Sequence, residues 1–89
     1  MTTFEARIEV MHREGILDPA GATVERALPA LGWENVSEVA IGKTIRLRVE
    51  AASTEEARTQ VDAMCRKLLA NPVIEDYTIS VTELADVTR

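Results

Sequence analysis

Apolar and polar positions alternate from the start of the chain: Phe4, Ala6, Ile8 and Val10 are separated by Glu5, Arg7 and Glu9. That is the period of a strand buried on one face. Asp18-Pro19 then supplies a capping side chain followed by proline at the first helical position. Val24, Ala27, Leu28 and Leu31 share one helical face, which predicts a helix over 19–31. Pro29 inside it should kink the helix or end its regular hydrogen bonding, and Gly32 suits a left-handed stop. Val36, Val39 and Ile41 suggest a second strand ending at Gly42-Lys43. Ile45, Leu47 and Val49 alternate with Thr44, Arg46, Arg48 and Glu50 as a third. Ser53-Thr54-Glu55-Glu56 is a capping box opening a helix over 54–70, with Ala57, Val61, Met64, Cys65 and Leu68 on its apolar face and an Asp62–Arg66 pair outside. Pro72 ends it and pushes Asn71 toward extended geometry. Tyr77, Ile79 and Val81 mark the last strand, and the tail from Leu84 to Arg89 carries no clear pattern.

The order is therefore β-α-β-β-α-β. With right-handed crossovers it predicts an α+β, ferredoxin-like domain: a four-stranded antiparallel sheet with both helices on one face. The hairpin between the second and third strands has two registers. A two-residue turn at Gly42-Lys43 leaves Val39 and Ile41 on the open face, beside Arg46 and Arg48. A connection through Thr44 puts them opposite Leu47 and Ile45 instead. In the first register they form an apolar patch expected in a subunit interface.

Length makes this one domain over 1–89, with an ordered core over about 4–83. Domains this small bury little more than about 60 % of the surface their unfolded chains expose, so association with other chains is expected. The net charge of −5 and pI near 4.8 argue against a phosphate-binding surface. Phe4, Trp33 and Tyr77 are too few aromatics for base stacking. Nucleic acid is not an expected partner. Neither is a membrane, since no apolar run approaches the ~20 residues a span needs. A single cysteine, Cys65, and the lack of a basic-then-apolar leader at Met1–Arg7 point to the cytoplasm.

Each candidate for chemistry has a structural explanation. His12 reads as a polar strand-end residue without an oriented carboxylate or nucleophile. Cys65 reads as a small buried hydrophobe. Glu55 and Glu56 suit a helix N-terminus better than a metal. Gly15–Gly21 lacks phosphate-loop spacing, Ile16-Leu17 should plug the end of the core, and Trp33 should cover its edge. Lys43 is a hairpin-tip lysine, and Tyr77 should pack with its hydroxyl near the sheet edge. No catalytic residue, cofactor site or metal ligand is assigned.

Taken together, the punctuating segments resemble a known family. Gly15-Ile16-Leu17-Asp18-Pro19-Ala20-Gly21, Ala27-Leu28 and Leu31-Gly32 look like the first half of the PurS family. Ile41-Gly42-Lys43 and the run from Met64 to Tyr77, with Ala70-Asn71-Pro72-Val73-Ile74-Glu75-Asp76-Tyr77 at its heart, look like the second half. The likeness spans about Phe4 to Glu83, and departs at Ala20, where glutamine is common, and at Pro29. PurS is the small subunit of phosphoribosylformylglycinamidine (FGAM) synthase. The resemblance implies a non-catalytic subunit, dimeric or of higher order, that bridges a glutaminase subunit (PurQ) and a synthetase subunit (PurL) and supports ammonia transfer. The complex, a carbon–nitrogen ligase with glutamine as nitrogen donor, would use ATP and Mg that this chain does not bind. Expected partner-contact or scaffold positions are Arg13, Gly15, Leu17, Asp18, Pro19, Val39, Ile41, Lys43, Asn71 and Pro72. A different class with the same element order is a regulatory ACT-type module that binds a small metabolite. A stand-alone acylphosphatase-like enzyme fits less well, because no phosphate-cradling loop with its arginine follows the first strand.

Overall fold

The structure, a computed structural model, describes residues 1–84. Most of the tail from Leu84 to Arg89 lies outside the described residues. The element order is β1 (Thr2–His12), α1 (Pro19–Ala27), β2 (Lys43–Ala51), α2 (Thr54–Met64) and β3 (Glu75–Glu83). A 3-10 turn at Pro29–Leu31 follows α1, and a π turn at Cys65–Leu69 follows α2.

The strands form one antiparallel sheet in the order β2-β1-β3. Register stacks the apolar positions in rows across it: Leu47–Ala6–Val81, then Ile45–Ile8–Ile79. Phe4, Ala6, Ile8 and Val10 are all buried, as the alternation predicts. α2 and the turn that follows it pack on this face through Ala57, Val61 and Cys65, each fully buried. Burial of a side chain the size of Phe4, Ile8, Val10 or Val61 contributes about 1.5–3 kcal/mol, so this one seam dominates the core. The opposite face carries Glu5, Arg7, Glu9, Arg46, Arg48, Thr78 and Ser80, and is polar.

The termini follow local chemistry. Asp18 caps α1 through the Gly21 amide at 3.1 Å, with Pro19 next to it. Pro29 does end the regular helix: α1 stops at Ala27 and only a 3-10 turn follows, closed by Gly32 at φ 108°. The predicted 19–31 helix is thus a shorter helix plus a tight turn. Ser53 Oγ accepts from the Glu56 amide at 3.1 Å, and Glu56 reaches back to the Ala52 amide at 2.6 Å. The Asp62–Arg66 pair forms as expected.

Four expectations are corrected. Among the described residues the sheet has three strands, not four, because Val36–Gly42 does not join it. Val39 and Ile41 donate their amides to the Glu25 and Asp18 carboxylates, and Glu38 takes a positive φ of 58°. Gly42 crosses against the Val10 carbonyl and the Met11 side chain, where an added methyl would overlap both. The chain therefore passes the end of β1 instead of folding back along β2, and neither hairpin register exists. Second, both helices do not cover one face: α1 hardly touches the sheet, and α2 alone roofs it. Third, Trp33 (55 % exposed) and Leu17 (77 %) do not close the core, and Ile16 is exposed too. Fourth, Leu68 points outward, because the π turn advances the buried line by one residue to Leu69 and Ala70.

Residues 22–38 consequently contain no buried side chain. The molecule measures 52 × 32 × 15 Å with a radius of gyration of 17.2 Å. A compact domain of this length would have about 12 Å.

Candidate functional site

Antiparallel pairing brings the C-terminal end of β1 beside the starts of β2 and β3. Three connections meet there: the loop after His12, the segment 36–42 entering β2, and the Asn71-Pro72 corner entering β3. Almost every exposed large apolar side chain belongs to this end or to the lobe projecting from it, including Leu17, Leu31, Trp33, Ile41, Leu68 and Val73.

Asp18 organises the first two connections. Its Oδ1 accepts from the Gly21 amide, and its Oδ2 accepts from the Ile41 amide at 2.8 Å. These hydrogen bonds, led by that from Ile41, hold its carboxyl below the usual 3.8. Glu25 adds a third tie, with Oε1 accepting from the Val39 amide at 3.0 Å. Gly21 is required because a methyl there would overlap the Val39 carbonyl oxygen. The result is a groove of about 490 Å³, edged by His12, Arg13, Leu17, Asp18, Glu38 and Val39 among others.

Arg13 joins the third connection to the first. Its guanidinium donates to the Pro72 carbonyl at 2.6 Å and pairs with Asp76 at 3.3 Å, and its amide donates to the Ile74 carbonyl at 2.8 Å. The corner is braced from within as well. Asn71 Oδ1 accepts from the Val73 amide at 3.0 Å, and Glu75 Oε1 accepts from the Asn71 amide at 2.8 Å.

The sequence-derived positions therefore fall into distinct places. Arg13, Gly15, Leu17, Asp18, Val39, Ile41, Asn71 and Pro72 gather at this end, joined by the hydrogen bonds just described or edging the groove. Gly15 takes φ 88°, a conformation that favours glycine. Pro19 only starts α1, and Lys43 opens β2 opposite Val10 with its side chain exposed. Val39 and Ile41 enter through their backbone, not as an apolar sheet face.

Sequence reading missed Glu25 and Gly21, whose roles depend on Val39, 14 and 18 positions away in the chain. It also missed a second cavity of about 480 Å³ between α2 and β3, edged by Arg58, Asp62, Arg66 and Tyr77. There the Tyr77 hydroxyl donates to Asp62 at 2.6 Å, which with partial desolvation pushes the phenol above its ordinary 10.0. Arg58 donates to the Ile79 carbonyl at 3.0 Å and so covers part of the free β3 edge.

The chemistry these groups offer is binding and bracing. Cys65 is fully buried and desolvation raises its thiol, so it stays protonated and acts as a hydrophobe. Among the described residues no group of three His, Cys, Asp or Glu side chains could hold a metal ion. No helix of the described residues is long and apolar enough to cross a membrane.

Fold and site together define a small α+β domain with one roofed sheet and a second lobe that lacks a core of its own. The sequence profile of PurS, described as phosphoribosylformylglycinamidine (FGAM) synthase, matches residues 5–83. The chain belongs to the PurS family. It is 46 % identical over 82 residues to the phosphoribosylformylglycinamidine synthase subunit PurS of Synechocystis sp., covering 92 % of this chain and 82 % of that one. The crystal structure of Methanocaldococcus jannaschii PurS superposes with a TM-score of 0.80 at 40 % identity, covering 92 % and 99 %. A chain in the structure of PurLQS from Thermotoga maritima superposes with a TM-score of 0.82 at 39 % identity, covering 94 % and 100 %.

Proposed function

We propose that this chain is the non-catalytic small subunit of a glutamine-dependent FGAM synthase, acting in the cytoplasm as a single domain over its whole length. In that complex glutamine supplies ammonia, and ATP with Mg activates the amide oxygen of formylglycinamide ribonucleotide. The products are the amidine, ADP, phosphate and glutamate. The glutaminase and synthetase subunits, PurQ and PurL, carry that chemistry; this chain joins them and helps to shield the ammonia path. Free ammonia would be protonated or diluted in bulk water, so a closed route has value.

The single observation that carries this reading is the match to the PurS family over residues 5–83. The chain also self-associates, as a dimer or higher oligomer. Support comes from the lobe over residues 22–38, where Val24, Leu31, Trp33 and Val36 are all exposed. An apolar surface of that kind is normally covered by another chain. Arg13, Gly15, Leu17, Asp18, Pro19, Val39, Ile41, Lys43, Asn71 and Pro72 serve as partner-contact or scaffold positions.

Affinity purification of the tagged chain from its native cell tests the assignment. A glutaminase and a synthetase should come with it. Their absence, together with saturable binding of a small metabolite by the isolated chain, would favour an ACT-type regulatory module instead.

A further inference from the structure

Two backbone hydrogen bonds fix which groups of β3 face outward. The Arg13 amide donates to the Ile74 carbonyl at 2.8 Å, and the Leu84 amide donates to the Thr3 carbonyl at 3.0 Å. Bonded and non-bonded pairs alternate along an antiparallel ladder, so in this register Thr78 and Ser80 bond back to β1. The amides and carbonyls of Tyr77, Ile79 and Val81 therefore point away from the sheet, along its outer edge. Such an edge is a template for another strand. Its composition suits pairing with its own copy: Tyr77-Thr78-Ile79-Ser80-Val81-Thr82 is aromatic, β-branched and hydroxylic, with no charge, proline or glycine.

Antiparallel pairing of two copies about Ile79 is the register that joins the two apolar centres. Ile79 then faces Ile79 of the second copy, and Tyr77 faces Val81, an aromatic and β-branched pair of the favourable kind. Three side chains oppose this pairing. Arg58 reaches over from α2 and donates to the Ile79 carbonyl at 3.0 Å, so it occupies the acceptor that the central bonds need. Symmetry would also bring two Arg58 guanidiniums together on the axis. At both ends the same register sets Glu75 against Glu83 of the second copy. Like charges directly opposite one another are destabilising. Arg58 and Glu83 are exposed and make no ion pair among the described residues, so their charges are not spent within the chain. Charged residues at the flanks of an apolar edge strand are a general means of stopping its growth.

We propose that β3 is a self-pairing strand held closed by Arg58 at its centre and by Glu75 and Glu83 at its ends. The blocked pairing stands apart from the synthase role proposed above. The test uses the full chain as wild type, Arg58→Ala, Glu83→Lys and the double variant, sedimented over a range of concentrations. Glu83→Lys turns both end pairs into attractions. Each single variant should strengthen association several-fold, and the double variant roughly ten- to hundredfold, with species larger than any the wild type forms. If the wild type already associates through another two-fold surface, the added contact links copies into an open chain. Register is read by adding Thr78→Cys or Ser80→Cys to the double variant. Thr78 lies directly opposite Ser80 of the second copy, about 4.5 Å away. Each residue is about 7–8 Å from its own counterpart, beyond the reach of a disulfide. Cys65 is fully buried and stays out of the reaction. A disulfide should form when the two cysteine variants are mixed and in neither alone. Glu83→Lys, at an exposed strand end, decides the matter if loss of Arg58 unfolds the chain. Sedimentation of Glu83→Lys and of the double variant like the wild type would overturn the proposal, and so would larger species without the mixed disulfide.

Discussion

Replacing Gly21 with alanine sets two effects of opposite sign against each other. In a helix, glycine to alanine ordinarily stabilises by about 1 kcal/mol. At this position the new methyl would overlap the Val39 carbonyl oxygen, which is backbone, and the Asp18 carboxylate. Relief requires the segment over 38–42 to move off the start of α1. That motion strains the Val39–Glu25 bond at 3.0 Å and the Ile41–Asp18 bond at 2.8 Å. Overpacking costs about 1–3 kcal/mol, and a lost hydrogen bond adds about 1 kcal/mol. The clash outweighs the helix gain, leaving about 1–3 kcal/mol against the seated segment. Because α1 hardly touches the sheet, the loss falls on local opening and spares the core. Native-state amide exchange reads this directly. In Gly21→Ala the Val39 and Ile41 amides should exchange about 5- to 150-fold faster, at 1.4 kcal/mol per factor of ten. The Ile8 and Ile79 amides in the sheet should not change. Unchanged or slower exchange at Val39 and Ile41 would refute the seating of that segment on the start of α1.

Four further outcomes are expected. Cys65→Ser buries a hydroxyl where a fully enclosed thiol stood, costing about 1–3 kcal/mol, or about 4–8 °C in Tm per kcal/mol; an unchanged Tm would contradict the packing. Asp18 has a depressed carboxyl, so its stabilisation is complete above the ordinary 3.8 and is lost as pH falls through the lower folded value. Asp18→Asn should therefore flatten the acid limb of a stability–pH curve. Tyr77 is raised, so its stabilisation holds below pH 10.0 and is lost as pH rises through the higher folded value; Tyr77→Phe should remove that alkaline slope. His12→Ala should leave turnover of the assembled complex nearly unchanged, and a loss of orders of magnitude with assembly intact would contradict a non-catalytic chain.

What the sequence made legible was local. Strand alternation in β1, the Asp18-Pro19 start, the Ser53 capping box and the Pro29 and Pro72 stops all depend on neighbours within a turn, and all form. Val39 and Ile41 are spaced as in a strand, but the fate of their amides was decided by Glu25 and Asp18, 14 and 23 positions away. Periodicity carries no record of such bonds. The second helix shows the same limit: Leu68 and Leu69 both suit the apolar face, and only the π turn decides between them. Arg13 and Asn71-Pro72 stood out as candidates separately; their contact across 59 positions belongs to the fold alone.

Reconstituted amidation of formylglycinamide ribonucleotide tests the central claim most directly. The glutaminase and synthetase of the same organism are assayed with ATP and Mg, with and without this chain, using either glutamine or ammonium salt as nitrogen source. An assembly subunit predicts glutamine-driven turnover that depends on the chain and ammonia-driven turnover that does not. Equal glutamine-driven rates with and without it would contradict the account.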